Sequence, residues 1–299
     1  MTPQKVANRL TPYLFLLPAL VFMGVGLMYP VLQSVKLSFM DWKLGTLPGK
    51  ALFSGWENYS FLLRDPRVLE SAVVTLVFAF AVVVLEVLCG IFMALLLERP
   101  IRGMSVFRTI FILPMMIAPV VVGLIWRYMY SEQYGVLDMM VKALGFTGIP
   151  WLSSPHIALV SVIIADIWQW TPFIFILALA ALQSLPASAL EAARVDGAQP
   201  WQTILYIKIP LMTPVIIVAT LLRLIDAFKV LEVIYIMTDG GPGLSTEILS
   251  LHIYKTAFVS QQLGRAAALS NLLLGIVLVL SLLLFIFTKV RERNLAKAR

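Results

Sequence analysis

The chain has 299 residues, of which 60% are hydrophobic and 13% charged, with a formal net charge of +7. Soluble domains carry about 45–50% apolar and about 25% charged residues, so this much apolar surface cannot be hidden in one globular core. The Lys and Arg residues are dispersed between apolar runs and gathered in the C-terminal KVRERNLAKAR, a pattern that favours a membrane surface over nucleic acid.

Six stretches are long and apolar enough to cross a hydrocarbon layer as helices, which takes about 20 residues. They are residues 12–35, 69–97, 109–130, 156–182, 212–237 and 266–288. Lys5 and Arg9 precede the first, but the run from Pro12 to Pro30 is too long for a signal-peptide core and no A-x-A-like site follows, so it reads as a retained span. The second span carries Glu86, a residue read mainly as a partner for a charge on another span. It also holds the chain's single cysteine, Cys89, with which neither a disulfide nor a metal site is expected. In the third span Pro114 and Pro119 are placed to bend the helix and turn backbone carbonyls toward a cavity. In the fourth, Asp166, Gln169, Trp170 and Phe173 share a helical face, with Pro172 weakening the ladder nearby.

Between the fourth and fifth spans lies EAARVDGAQPWQTILYIKIPLMTP, residues 191–214, which is too polar for a membrane interior. Pro186 suits the first turn of a short helix, ASALEAARV continues it, and Gly197 suits a left-handed stop. Pro200 then starts a second short helix, PWQTILYIK, expected to end before Pro210. The segment is either a plain connection or a docking knob, in which Ala192, Ala193 and Ala198 permit close approach and Glu191, Arg194 and Asp196 are polar handles. The fifth span sets Arg223, Asp226, Lys229 and Glu232 at steps of three, where neighbours can pair along one continuous helix. A charge in mid-membrane costs about 2.5–3.5 kcal/mol on insertion scales, so such groups either pair or face a water-filled route. For Lys229 and Glu232 a structural ion-pair ladder and a role in the route are balanced. DGGPG at 239–243 lacks a following Lys-Ser/Thr and reads as a turn, and no phosphate-binding loop occurs in the chain.

Lys and Arg are concentrated in the termini and in the second and fourth connections, which hold Arg99, Arg102, Arg108, Arg194 and Lys208. By the positive-inside rule both termini and the polar loop are expected in the cytoplasm. The remaining connections, 36–68, 131–155 and 238–265, then lie outside. Their Trp42, Trp56, Tyr59, Tyr134 and Trp151 fit an interfacial belt.

EAARVDGA, followed by Ile207, IPL at 209–211 and Pro214, resembles the EAA loop of permease subunits of bacterial ATP-binding-cassette importers. LLPALVF, YPVLQSVKLSF, FSGWENYSFLL, WRYMYSEQYGVLD, WQWTPF, IDAFKVLEVIYIMTDGGPGLST and YKTAF resemble the sugar-uptake group that includes maltose and glycerol-phosphate permeases. Ile204 departs from the Phe often found there in the family.

The resemblance implies an all-α membrane protein with six transmembrane helices and the type I ABC importer permease fold. Residues 1–68 would be the tail, first helix and outer loop, 69–288 the core with its EAA loop at 186–210, and 289–299 a basic cytoplasmic tail. It implies that Glu191, Ala192, Ala193, Asp196, Gly197 and Ala198 meet a cytosolic ATPase subunit. It also places substrate contacts at Met115, Pro119, Asp166, Trp170, Arg223 and Ala227, to which the polar spacing adds Gln169 and Asp226. The implied partners are a second permease subunit, two ATP-binding subunits that use ATP and Mg, and an extracytoplasmic solute-binding protein. No cofactor is expected on this chain, which would transport without catalysing a reaction in the bacterial inner membrane. The solute would be a sugar, polyol, glycosylglycerol or glycerol phosphate. An ion-coupled secondary carrier would be marked by inverted repeats, which the sequence lacks, and an importer of a non-sugar solute is the other alternative.

Overall fold

A computed structural model describes residues 3–47, 51–98 and 103–297, with side chains described for 13, 15–47, 51–98 and 103–286. Lys50, Arg99, Arg102 and Arg299 lie outside the described residues, as do the side chains of Lys5, Arg9, Lys289, Arg291, Arg293 and Lys297.

In chain order the elements are α1 (Pro3–Ser38), a two-residue hairpin pair β1 (Met40–Asp41) and β2 (Leu52–Phe53), α2 (Glu57–Arg64) and α3 (Pro66–Leu96). Then follow α4 (Met104–Met116), α5 (Pro119–Met129), α6 (Val136–Ala143), α7 (Pro155–Gln183), α8 (Ala187–Val195) and α9 (Pro200–Thr203). A π-helical turn (Ile204–Lys208) leads into α10 (Ile209–Ala227), α11 (Glu232–Met237) and α12 (Leu249–Tyr254), and a second π turn (Lys255–Val259) precedes α13 (Leu263–Lys297). Among the described residues, five helical stretches are long and apolar enough to cross a membrane, and α4 with α5, bent by 99°, makes a sixth if the pair is one span. The helical, six-span reading therefore holds.

Three boundaries differ from the expected ones. The third span is two helices, because Pro119 forces Ala118 into extended backbone (ψ 137°) and Ile117 is extended before it. The fifth span does not reach residue 237: α10 stops at Ala227, and α11 is a separate helix. Nor does the second short helix end before Pro210. The chain runs from Pro200 to Ala227 as one long helical stretch, because the π turn, in which Ile209 N–H donates to Ile204 C=O, absorbs the proline.

The chain forms two compact units. In the first, residues 1–65 and 253–274, buried Asn58 donates to the carbonyls of Ser38 (2.9 Å) and Met40 (3.1 Å) and so ties α2 to the end of α1. Gly264 N–H donates to Trp42 C=O (3.0 Å), and Arg265 lies 3.8 Å above the Phe61 ring. Trp56 is exposed there, as an interfacial residue would be.

The second unit, residues 66–252 and 275–299, is centred on α3 against α7. Gly90 makes this possible: a Cβ there would stand 2.7 Å from Ile174, so the backbones approach as they do where small residues line membrane helix pairs. Phe78, Ala79, Val82 and Ala94 of α3 and Ala178 and Leu182 of α7 are buried along the same seam. Tyr134 is exposed, whereas Trp151 packs on Tyr130 at 5.1 Å and so sits partly inside the unit. Arg67 forks onto Glu247 with two 2.8 Å bonds, and Glu247 also meets His252 Nδ1 at 2.8 Å. The 239–243 segment is a turn, with Asp239, Gly240 and Gly243 all at positive φ.

Candidate functional site

Two polar features of the second unit stand out, a cleft beside α7 and α10 and the loop between these helices.

The cleft is built on Arg223 of α10, which is 1% exposed. Its Nε and Nη2 fork onto both carboxylate oxygens of Glu86 on α3, at 2.6 and 3.0 Å. Nη2 also donates to Asp166 Oδ2 on α7, and Nη1 reaches Asp226 Oδ2 one turn further along α10 at 3.3 Å. The guanidinium carbon lies 5.2 Å from the Trp170 ring centroid, within range of a cation–π contact. A planar fork with five donors can serve three carboxylates at once, which a lysine ammonium cannot do with the same geometry. Breaking such a buried network from one side costs about 3–5 kcal/mol, because the remaining charges are stranded.

Gln169, one turn from Asp166 on α7, donates from Nε2 to Ile117 C=O at 3.1 Å. Ile117 sits at the break between α4 and α5, where helical partners run out. The bond fixes the amide orientation, since a carbonyl must face the NH2 group. Among the described residues it leaves Gln169 Oε1 without a donor, and Asp166 Oδ1 also lacks one there, although both residues are at most 1% exposed.

These groups line a cleft of about 230 Å³ formed by Pro119, Asp166, Gln169, Trp170, Asp226, Val230 and Val233 with the exposed Lys229 and Glu232. Lys229 and Glu232 make no ion pair among the described residues, so of the two readings left balanced for them the ion-pair ladder is not seen, and the pairing along this stretch is that of Arg223 with Asp226. Met115 is half-buried and Ala227 fully buried, and neither lines the cleft. Glu86 forms the pair that the sequence reading foresaw for it. That it is the main fork of Arg223, from 137 residues away, had no local signal.

In the connecting loop Pro186 is the N-cap of α8 and lies just before the first turn. The helix ends in a Schellman arrangement: Gly197 N–H donates to Arg194 C=O (3.2 Å) and Ala198 N–H to Ala193 C=O (2.9 Å). This requires the left-handed φ of +72° at Gly197, which costs a side-chain-bearing residue about 1–2 kcal/mol. Glu191, Ala192, Asp196 and Gly197 are exposed, Ala198 is half-buried and Ala193 is buried. Val195, at the end of α8, is an apolar side chain left 87% exposed, for which the sequence pattern gives no signal. Lys208, at the far end of the loop, pairs with Glu98 just beyond α3.

Residues 86–297 match the family described as binding-protein-dependent transport system inner membrane component. The chain belongs to this family. The matched stretch contains both the cleft and the loop. Among relatives of this inner membrane component is a probable ABC transporter permease protein of Sinorhizobium fredii, 38% identical, with the alignment covering 89% of this chain and 86% of that one. A trehalose/maltose transport system permease protein of Thermococcus litoralis is 36% identical over 90% of each chain. In fold it is similar to a chain of a bacterial ABC transporter involved in the import of the acidic polysaccharide alginate. The TM-score is 0.82 at 23% identity, covering 96% of this chain and 98% of that one.

Proposed function

We propose that this inner membrane component forms half of the translocation pathway of an ATP-driven, binding-protein-dependent importer of a sugar or sugar derivative. The observation that carries the proposal is the covalent continuity of its two polar features: Pro200–Ala227 leads from the exposed loop at one end to the Arg223 cluster at the other. Motion imposed on the loop reaches the cleft through one helical stretch. A second permease subunit would supply the other half of the route. Two cytosolic ATPase subunits, using ATP and Mg, would seat Glu191, Ala192, Val195 and Asp196. An extracytoplasmic binding protein would deliver the solute. The charge asymmetry supports cytoplasmic termini. A cysteine at position 188 in a Cys89→Ala background should then label only from inside, and labelling from outside would refute that orientation.

In the cleft, Trp170 offers an aromatic face and Asp166 and Gln169 offer acceptors. Asp166→Asn and Trp170→Ala should lower solute-stimulated ATP hydrolysis by the reconstituted complex while assembly persists. Wild-type solute dependence in both assembled variants would rule out the cleft as the transport site.

A further inference from the structure

The connection between α5 and α7 carries a helix whose polarity is reversed for water. Along α6, Val136, Met139, Met140 and Ala143 stand at i, i+3, i+4 and i+7, one stripe of the helix, and all four are exposed. The two charged residues lie off this stripe and pair with each other at 2.5 Å. Asp138, 1% exposed, also accepts the Ile149 N–H at 3.0 Å, and Lys142 Nζ donates to Glu132 C=O at 3.2 Å. A helix lying against water turns its charges outward and its apolar face inward. Here the apolar face is outward, and Leu144 and Phe146 extend it past the end of α6.

The height of α6 along the spans is fixed at both ends of the connection. Gly135 N–H donates to Ser131 C=O (2.7 Å), and a Cβ at Gly135 would stand 2.4 Å from Met129 C=O, so α6 begins against the last residue of α5. Tyr130 OH donates to Ser161 C=O (3.2 Å) and Ser161 Oγ to Trp151 C=O (2.8 Å), which ties both limbs of the connection to one residue near the start of α7. Phe111 of α4 meets Phe175 at 5.0 Å, further along α7 than Ser161 by about 20 Å at about 1.5 Å per residue. The bent pair α4–α5 therefore runs beside α7 over that length, and α6 lies where it emerges. The exposed face of α5, with Val121, Leu124 and Tyr128, runs into that of α6 through a Tyr128–Tyr134 ring contact at 6.1 Å.

An apolar stripe held firmly at the end of a span, continuous with the outward face of that span and flanked by tyrosines and the half-exposed Lys142, has the make-up of an element lying in a bilayer interface. We propose that α6 is an interfacial helix whose occupant is lipid: Val136, Met139, Met140 and Leu144 sink into the boundary between headgroups and acyl chains. It anchors α5, the half-span that carries Pro119 of the cleft, at a fixed depth beyond the break at Ile117 and Ala118. The leaflet is the one opposite the α8 loop, since α7 runs between the two, and it is the outer one on the orientation proposed above.

The test uses the complete complex of this chain with its permease partner and ATPase subunits in vesicles of phosphatidylethanolamine and phosphatidylglycerol. Nitroxide labels are placed one at a time at Met140→Cys, Leu144→Cys and Gln133→Cys in a cysteine-free background, Cys89→Ala in this chain. Their access to oxygen, which partitions into lipid, is compared with access to a water-soluble nickel chelate. Positions 140 and 144 should favour oxygen and read a depth of about 5–10 Å, unchanged when the binding protein is added. The exposed position 133 should favour the chelate. Chelate access at 140 or 144 equal to that at 133 would put α6 in water and overturn the proposal. Immobilised labels shielded from both reagents would overturn it in favour of contact with the second permease subunit. Shielding that arises only with the binding protein would overturn it in favour of a dock for that protein. The readout requires no transport, so each of these failures leaves the import reading standing.

Discussion

Arg223 shows how much of a buried network one side chain can organise. Its spacing to Asp226 was legible as a helical i, i+3 pair, and Asp166 was legible as a mid-span polar residue on another helix. Glu86 as the main partner was not, because nothing local to it encodes a contact made across two other spans. The same network predicts an asymmetry between substitutions. Arg223→Leu strands three carboxylates and should destabilise the protein by about 3–5 kcal/mol, whereas Arg223→Lys keeps the charge and loses only the fork. Thermal unfolding in detergent should rank wild type above Arg223→Lys and Arg223→Lys above Arg223→Leu. A Leu variant as stable as wild type would mean that the cluster contributes no structural support.

At the scale of elements, Pro119 marked its boundary in the sequence, and the uninterrupted apolar runs did not mark theirs. Pro114 and Pro119 marked a bend in the third span; Pro119 turns it into a full break, since a proline constrains its own φ and the residue before it, while Pro114 stays inside α4. The stop at Ala227 had no such mark, because FKVLEVIY continues the apolar pattern of α10. Just beyond the stop, Val230 C=O accepts from Ser250 Oγ, a partner 20 residues on that no periodicity reveals. Pro210 misled in the other direction, because a π turn accommodated it. In α8 the stop at Gly197 was legible, yet the exposed face was not, since helix phase turns Ala193 inward and Val195 outward. Seating Val195 on an ATPase subunit would bury an isopropyl group worth about 1.5–3 kcal/mol. Val195→Asp should therefore reduce co-purification of the ATPase subunits by tenfold or more, at about 1.4 kcal/mol per factor of ten. Unchanged recovery would place the tip of α8 outside that interface.

For the molecule as a whole, composition and run length were enough to read a polytopic helical protein, and the loop motif was enough to read its family. What could not be read was the joining of the loop to the cleft through one helical stretch, which depends on the π turn at Ile204–Lys208. The central claim is that ATP energy enters through that loop and is spent at the cleft. Gly197→Val tests it most directly: Gly197 has no neighbour within 4 Å of an added Cβ, so the change strains the left-handed turn without disturbing any packing around it. The measurement is ATP-driven, binding-protein-dependent uptake, recorded together with ATP hydrolysis, in proteoliposomes holding the complete complex. The account predicts that the variant inserts and assembles, and that its binding protein still binds solute, while uptake is lost relative to the ATP hydrolysed. Wild-type uptake per ATP by an assembled Gly197→Val complex, or wild-type uptake sustained by an ion gradient without ATP, would contradict it.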